Sequence, residues 1–291
     1  MKGRIQLKYQ RDELGDAPGQ YLGLLKKRIL TPRDLKAIET VYWSRCVIPA
    51  HLQHIFNSDL KGKPNKIGLT LARRRLKVYY QHHIIDRFFV DPGLYQGTSP
   101  QYVVLDRVGA MILAGWWGMG LKELKWRSEH NRIHPQRLAH TIGINDFRTW
   151  LIEIALKRKH TPGIWKVEHH NYIAFNFEGR DYRLEPDAYG QYWYSNKQGL
   201  HFYYEHDRGT MGQIQWKDKL IRYQAHYKSS VQRQTYPAVL CTTTSWSRAK
   251  DLASLAGQYN PPWLFSCHRE GFTDQWLTQD HQKVELFSKN P

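Results

Sequence analysis

The spacing of apolar residues changes character partway along this chain, and that change limits the folds open to it. From Thr31 to about His82 they recur at helical intervals, whereas from Ile164 to Glu205 they gather in short extended runs. Two stretches with different periods predict an α/β (α+β) protein in two parts, and 291 residues are enough for two ordinary cores.

The first part has a definite element order. Thr31 and Pro32 followed by Asp34 mark a helix start: threonine caps, proline suits the first helical position and an early acid complements the dipole. Leu35, Ile38, Val41 and Tyr42 then define one buried face over residues 32–45. A short helix is predicted over 49–56, with Leu52, Ile55 and Phe56 inward, and a turn at Lys61-Gly62-Lys63-Pro64-Asn65. A third helix covers 68–82, with Leu69, Leu76 and Tyr79 or Tyr80 buried; a strand at 84–90, a loop at 91–100 and a returning strand at 101–105 follow. Three helices and a hairpin in this order predict a winged helix-turn-helix over 31–126, behind an arm at 1–30, with the third helix as the reading element.

Residues 127–144 lose periodicity and include Pro135, which predicts a connection between domains. Residues 145–159 then form an amphipathic helix, with Asn145 or Asp146 near its cap and Phe147, Trp150, Leu151, Ile154 and Ala155 inward. Extended runs at 164–167, 172–177, 182–184, 191–194 and 200–205 precede a helix at 212–227, a strand at 238–242, a helix at 246–256 and a last strand at 263–267. Helices flanking a mixed sheet are expected over 145–291.

Charge narrows the partner. Lys and Arg number 43 against 26 Asp and Glu, a formal charge of +17, which favours a polyanion and nucleic acid first. Arg73, Arg74, Arg75 and Lys77 crowd the third helix behind Lys61, Lys63 and Lys66; Arg87 and the loop at 91–98 are candidate wing contacts. Such a helix can place arginine on guanine edges in double-stranded DNA while lysines neutralise phosphates. The bland alternative is a solvated charged face. The aromatics, 13% of the chain, are read as packing, with a single-strand or RNA platform as a lesser alternative. No membrane association is expected: there is no lipidation signal, residues 1–11 lack the apolar core of a signal peptide, and the longest apolar stretch, 103–119, is interrupted by Asp106 and Arg107. Cys46, Cys241 and Cys267, odd in number and widely spaced, fit a reducing cytoplasm.

Acids cluster in the second part at Glu185-Pro186-Asp187 and at Glu205-His206-Asp207-Arg208-Gly209-Thr210. Asp187 and Glu205 on neighbouring strand ends form the kind of carboxylate pair that holds magnesium or manganese in nucleases, where the ion polarises phosphate and activates water. In the PD-(D/E)XK type a lysine lies two residues after the second acid; Asp207 stands there, and Lys217 or Lys219 on the following helix is left to reach back. Glu168 or Glu153 is a candidate third carboxylate. The structural alternative is an ion-pair clamp of Glu205 and Asp207 with Arg180, Arg183, Arg208 or Arg222. The pairs His82-His83 and His169-His170 lack the helical spacing of zinc ligands, and Cys241 is read as core.

The run Leu138-Ala139-His140 through Ile144-Asn145-Asp146-Phe147, the Pro186-Asp187 step, the Glu205-x-Asp207-Arg208-Gly209-Thr210 segment and the stretch from Lys219 to Tyr223 together resemble the replication-relaxation family of plasmids and integrative elements. The resemblance covers about residues 31–244, and the last forty residues depart most from it. It implies a winged helix joined to a domain similar to restriction endonucleases, at work in plasmid replication, DNA relaxation or mobilisation, with Asp187, Glu205 and Asp207 as matching motif positions. The expected function is a DNA-binding accessory of a mobile element that acts with its replication or transfer proteins, as a homodimer where the site is an inverted repeat. The alternative is a metal-dependent endonuclease or nickase using Asp187 and Glu205, with Asp207, Lys217 and Lys219 in support.

Overall fold

The computed structural model describes residues 7–9, 30–56, 66–90, 100–167, 171–230 and 235–288. The chain divides into two compact units, Met1–Asn145 and Asp146–Pro291.

In the first unit, β1 (Leu7–Tyr9) precedes α1 (Pro32–Ser44), whose start is closed by a reciprocal cap. The Asp34 backbone N–H donates to Thr31 Oγ1 at 3.3 Å and the Thr31 N–H donates to the Asp34 carboxylate at 2.6 Å. A 3-10 turn (Pro49–Leu52) and α2 (Gln53–Phe56) follow, then α3 (Lys66–Gln81), β2 (Ile85–Val90) and β3 (Tyr102–Leu105). β2 pairs antiparallel with β3 from Ile85 opposite Leu105 to Phe88 opposite Tyr102, and β1 adds to the other side of β2. The arm expected over 1–30 therefore supplies a strand at Leu7–Tyr9; the predicted turn at 61–65 and the loop at 91–99 lie outside the described residues. Ile38, Val41, Leu52, Leu76, Tyr79 and Val103 meet in the core.

α4 (Arg107–Trp116) has no counterpart in the sequence reading. The charges that interrupt the apolar stretch there are its start: the Asp106 side chain accepts from the Arg107 N–H at 2.7 Å, and the apolar residues behind it form one helix too short to span a bilayer. No helix among the described residues is long and apolar enough to cross a membrane. Gly109 lets α4 lie against the backbone entering β2, since a Cβ there would stand 2.2 Å from the Ile84 carbonyl oxygen.

α5 (Pro135–Arg158) begins at Pro135, within the stretch read as a connection, rather than at Asn145. Asn145 is accordingly no cap: inside the helix, its Nδ2 donates to the Cys46 and Ser44 carbonyls at 2.7 and 3.1 Å and satisfies the end of α1.

The second unit holds β4 (Thr161–Val167), the hairpin β5 (Ile173–Phe177) and β6 (Arg180–Leu184), β7 (Ala188–Trp193), β8 (Gly199–His206), α6 (Gln213–Ser229), β9 (Ala238–Thr243), α7 (Trp246–Ala256) and β10 (Trp263–Cys267). β11 (Trp276–Thr278) and β12 (Lys283–Val284) follow the strand expected to be last. The mixed sheet runs β12-β11-β10-β9-β8-β7-β4, with β8, β9 and β10 mutually parallel and the other pairs antiparallel; α6 and α7 make the crossovers that parallel neighbours require. β5 and β6 form a separate hairpin.

Alternation along β8 sorts the two faces. Tyr203 joins Trp216, Leu220 and Tyr223 of α6 in one core, whereas Tyr204 stacks on Phe147 of α5 with ring centroids 4.1 Å apart. Among the last forty residues, Trp276 and Phe287 join this second face and are fully buried, while Trp263 and Phe265 enter the first core. The protein is thus a mixed α/β chain with helices on both sides of a mixed sheet.

Candidate functional site

Two groups of side chains carry chemistry. The first lies on α3, whose Ala72, Leu76 and Tyr79 are buried while Arg73, Arg74 and Lys77 are exposed on the other side. Arg75 does not join the outward group. Its Nε and Nη2 donate to the two oxygens of Asp34 at 2.6 Å each, and the Tyr79 hydroxyl donates to the same carboxylate. Asp34 is only 2% exposed. Burial pushes its pKa up, but the bonds from Arg75, Tyr79 and Thr31 outweigh that and hold it below the usual carboxylate value. Arg75 serves as the strut between α3 and α1. Arg87, on β2, lays its guanidinium over the Tyr80 ring at 4.1 Å. Lys66 begins α3; Lys61, Lys63 and the wing residues 91–98 lie outside the described residues.

The second group is acidic. The β7–β8 register places Ala188 opposite Tyr204, so Asp187 stands opposite Glu205 one step further on. Asp187 Oδ2 accepts the His206 N–H at 2.7 Å. Glu205 is 1% exposed; its Oε1 accepts the Tyr223 hydroxyl at 2.6 Å and its Oε2 accepts the Lys219 ammonium. Burial raises the Glu205 pKa, with Asp187 adding to the effect and Lys219 and Tyr223 opposing it. For Lys219 burial acts against the charge, but the carboxylates of Glu205 and Asp187 prevail and raise its pKa. Lys217, by contrast, is exposed.

Asp207 belongs to a different cluster. It accepts the Arg248 guanidinium, the Thr243 hydroxyl at 2.5 Å and the Gly209 N–H at 3.1 Å, and these bonds overcome burial to lower its pKa. Arg248 also donates to the Met211 carbonyl at 2.8 Å, so one guanidinium ties α7 to the loop after β8. Glu205 and Asp207 are thus held by Lys219 and Arg248, while Arg183 pairs with Glu185 and Arg222 with Asp218. Glu153 lies on α5, on the opposite sheet face from Glu205, and Glu168 is outside the described residues. Cys241 is buried, which pushes its thiol pKa well up.

Sequence reasoning missed Tyr223 and Arg248 as partners. The first had a signal, because Lys219 and Tyr223 at i, i+4 share one helix face. Arg248 had none, being far from Asp207 in sequence.

As a metal site the acidic group fits poorly. Both Glu205 oxygens already accept a hydrogen bond, and among the described residues no three or more His, Cys, Asp or Glu are grouped to hold an ion.

A family model described as replication-relaxation matches residues 53–239, which takes in α3, the β2–β3 pair, Asp187, Glu205, Asp207 and Lys219. No curated protein and no solved structure matches the chain.

Proposed function

The chain belongs to the replication-relaxation family, and on that footing we propose that it is a DNA-binding protein of a mobile genetic element that supports plasmid replication, DNA relaxation or mobilisation. The first unit acts as a winged helix over residues 31–126, and α3 enters the major groove of duplex DNA. Arg73, Arg74 and Lys77 make the principal contacts, supported by Lys61, Lys63, Lys66 and Arg87. The second domain, proposed over 145–291, takes in the C-terminal part of α5 and then β4, β7, β8, α6 and β9, a helix, three antiparallel strands, a helix and a further strand, which supports kinship with the PD-(D/E)XK fold. It acts in the cytoplasm as a platform for replication or transfer proteins, and a homodimer serves inverted repeats.

The observation that carries this reading is the division of α3 into a buried apolar side and an exposed cationic side next to an antiparallel strand pair. Duplex binding measured against salt tests it: affinity falls steeply with ionic strength, and the combined Arg73→Ala, Arg74→Ala and Lys77→Ala variant loses about one unit of salt slope per phosphate contact removed. An unchanged slope in that variant refutes it.

A nuclease reading has one observation in its favour, the meeting of Lys219 with Glu205 beside Asp187. The closure of Glu205 by Lys219 and Tyr223 weighs more heavily. Supercoiled plasmid incubated with magnesium or manganese is expected to stay supercoiled; relaxed or linear product that disappears with Glu205→Ala would reverse the preference.

A further inference from the structure

Helix α3 does not carry charge along its whole outward face. Between Lys66 at its start and the exposed cations Arg73, Arg74 and Lys77, it presents Ile67 and Leu71, 66% and 37% exposed. At about 3.6 residues per turn, positions 67, 71 and 74 share one side of the helix, opposite Ala72, Leu76 and Tyr79. A helix that met only phosphates would gain nothing from branched apolar side chains at its leading end, and keeping them in water is unfavourable. The major groove offers them a partner, since the thymine 5-methyl is the apolar group among otherwise polar base edges. The N-terminal residues of a reading helix are the ones that reach those edges. Charge complementarity selects the same occupant, because the cations that follow the apolar pair suit the flanking phosphates.

We infer that Ile67 and Leu71 are specificity determinants that read thymine 5-methyl groups in the duplex bound by α3. This rests on the proposed duplex binding and adds to it the identity of a base feature being read.

The test uses the full chain and a duplex of the sequence it selects from a random pool, prepared once with thymine and once with uracil, which lacks only the 5-methyl. The wild-type protein is expected to bind the uracil duplex more weakly, by roughly fourfold for each methyl contacted. The Ile67→Ala/Leu71→Ala variant is expected to bind the two duplexes alike; both side chains are exposed, and an unchanged unfolding midpoint verifies that the variant is folded. A wild type indifferent to uracil, or a folded variant that discriminates as the wild type does, overturns the inference while leaving duplex binding in place. A wild type that binds no duplex overturns the proposed function and this inference with it. If sedimentation shows the substitutions dissolving a dimer while uracil discrimination persists, the two side chains belong to a contact between copies and the inference is overturned.

Discussion

Arg75 and Asp34 are joined by two hydrogen bonds of 2.6 Å, and this pair fastens the basic helix α3 to the first turn of α1. The arginine in the middle of the most cationic stretch of the chain is therefore a structural tie.

Removing one member of that pair leaves a buried charge without its partner. Arg75→Ala is expected to cost about 3 kcal/mol of unfolding free energy, whereas Arg73→Ala or Arg74→Ala should stay within roughly 0.5 kcal/mol of the wild type. Urea denaturation measures both. Similar losses at all three positions would show that Arg75 has no special place.

Asp34 and Asp207 both titrate below the ordinary carboxylate value of 3.8. For each, burial raises the pKa, and the hydrogen bonds, chiefly from Arg75 and Arg248 respectively, outweigh it and bring the pKa down. A carboxylate with its folded pKa depressed contributes stability that is complete above the unfolded value and is lost as pH falls through the folded one. Unfolding midpoints are expected to drop as pH falls below about 4, where these two carboxylates protonate. Asp207→Asn is expected to lower stability at neutral pH and to shrink the acid-dependent drop. An acid limb of unchanged size in Asp207→Asn would count against the assignment.

Glu205 and Lys219 form a pair whose two halves depend on each other. Glu205→Gln leaves the Lys219 ammonium without its anion and is expected to cost about 3 kcal/mol, while the double substitution Glu205→Leu/Lys219→Met recovers much of that loss, since well-packed apolar residues can replace a buried ion pair at little cost. A double-mutant cycle by chemical denaturation gives the coupling, and additive losses would contradict it.

Two glycines of α4 should respond in opposite directions. A Cβ at Gly109 would overlap the Ile84 carbonyl oxygen, whereas a Cβ at Gly115 meets nothing within 4 Å. Gly109→Ala is expected to destabilise by about 1–3 kcal/mol, and Gly115→Ala to stabilise by about 0.5–1 kcal/mol through helix propensity. Thermal melts of the two variants decide the matter.

Local signals were read well from the sequence. The start of α1 is legible because Thr31, Pro32 and Asp34 act on one another within a single turn, and the bounds of α7 coincide with those its sequence predicts. α4 was hidden because Asp106 and Arg107 look like breaks in an apolar stretch until their role at a helix start is considered. The inward turn of Arg75 was within reach: three consecutive residues fan across more than half of a helix circumference, so Arg73, Arg74 and Arg75 cannot all face one way. At the acidic group, the approach of Asp187 to Glu205 follows from strand adjacency. The choice of Arg248 as partner for Asp207 depends on a crossover through α6 and β9, which no local pattern encodes. β11 and β12 are too short to show alternation.

The margins of the seven-stranded sheet bear on how this protein behaves when many copies gather. β4 carries Pro162, and its pairing with β7 slips between Pro162 and Trp165; at the far side β12 is two residues long. Proline withholds a donor, an irregular strand twists away from a flat template, and a two-residue strand offers almost no ladder to extend. Crowded copies therefore find neither flank of this sheet ready to recruit a neighbour's backbone, which guards it against growing into fibres.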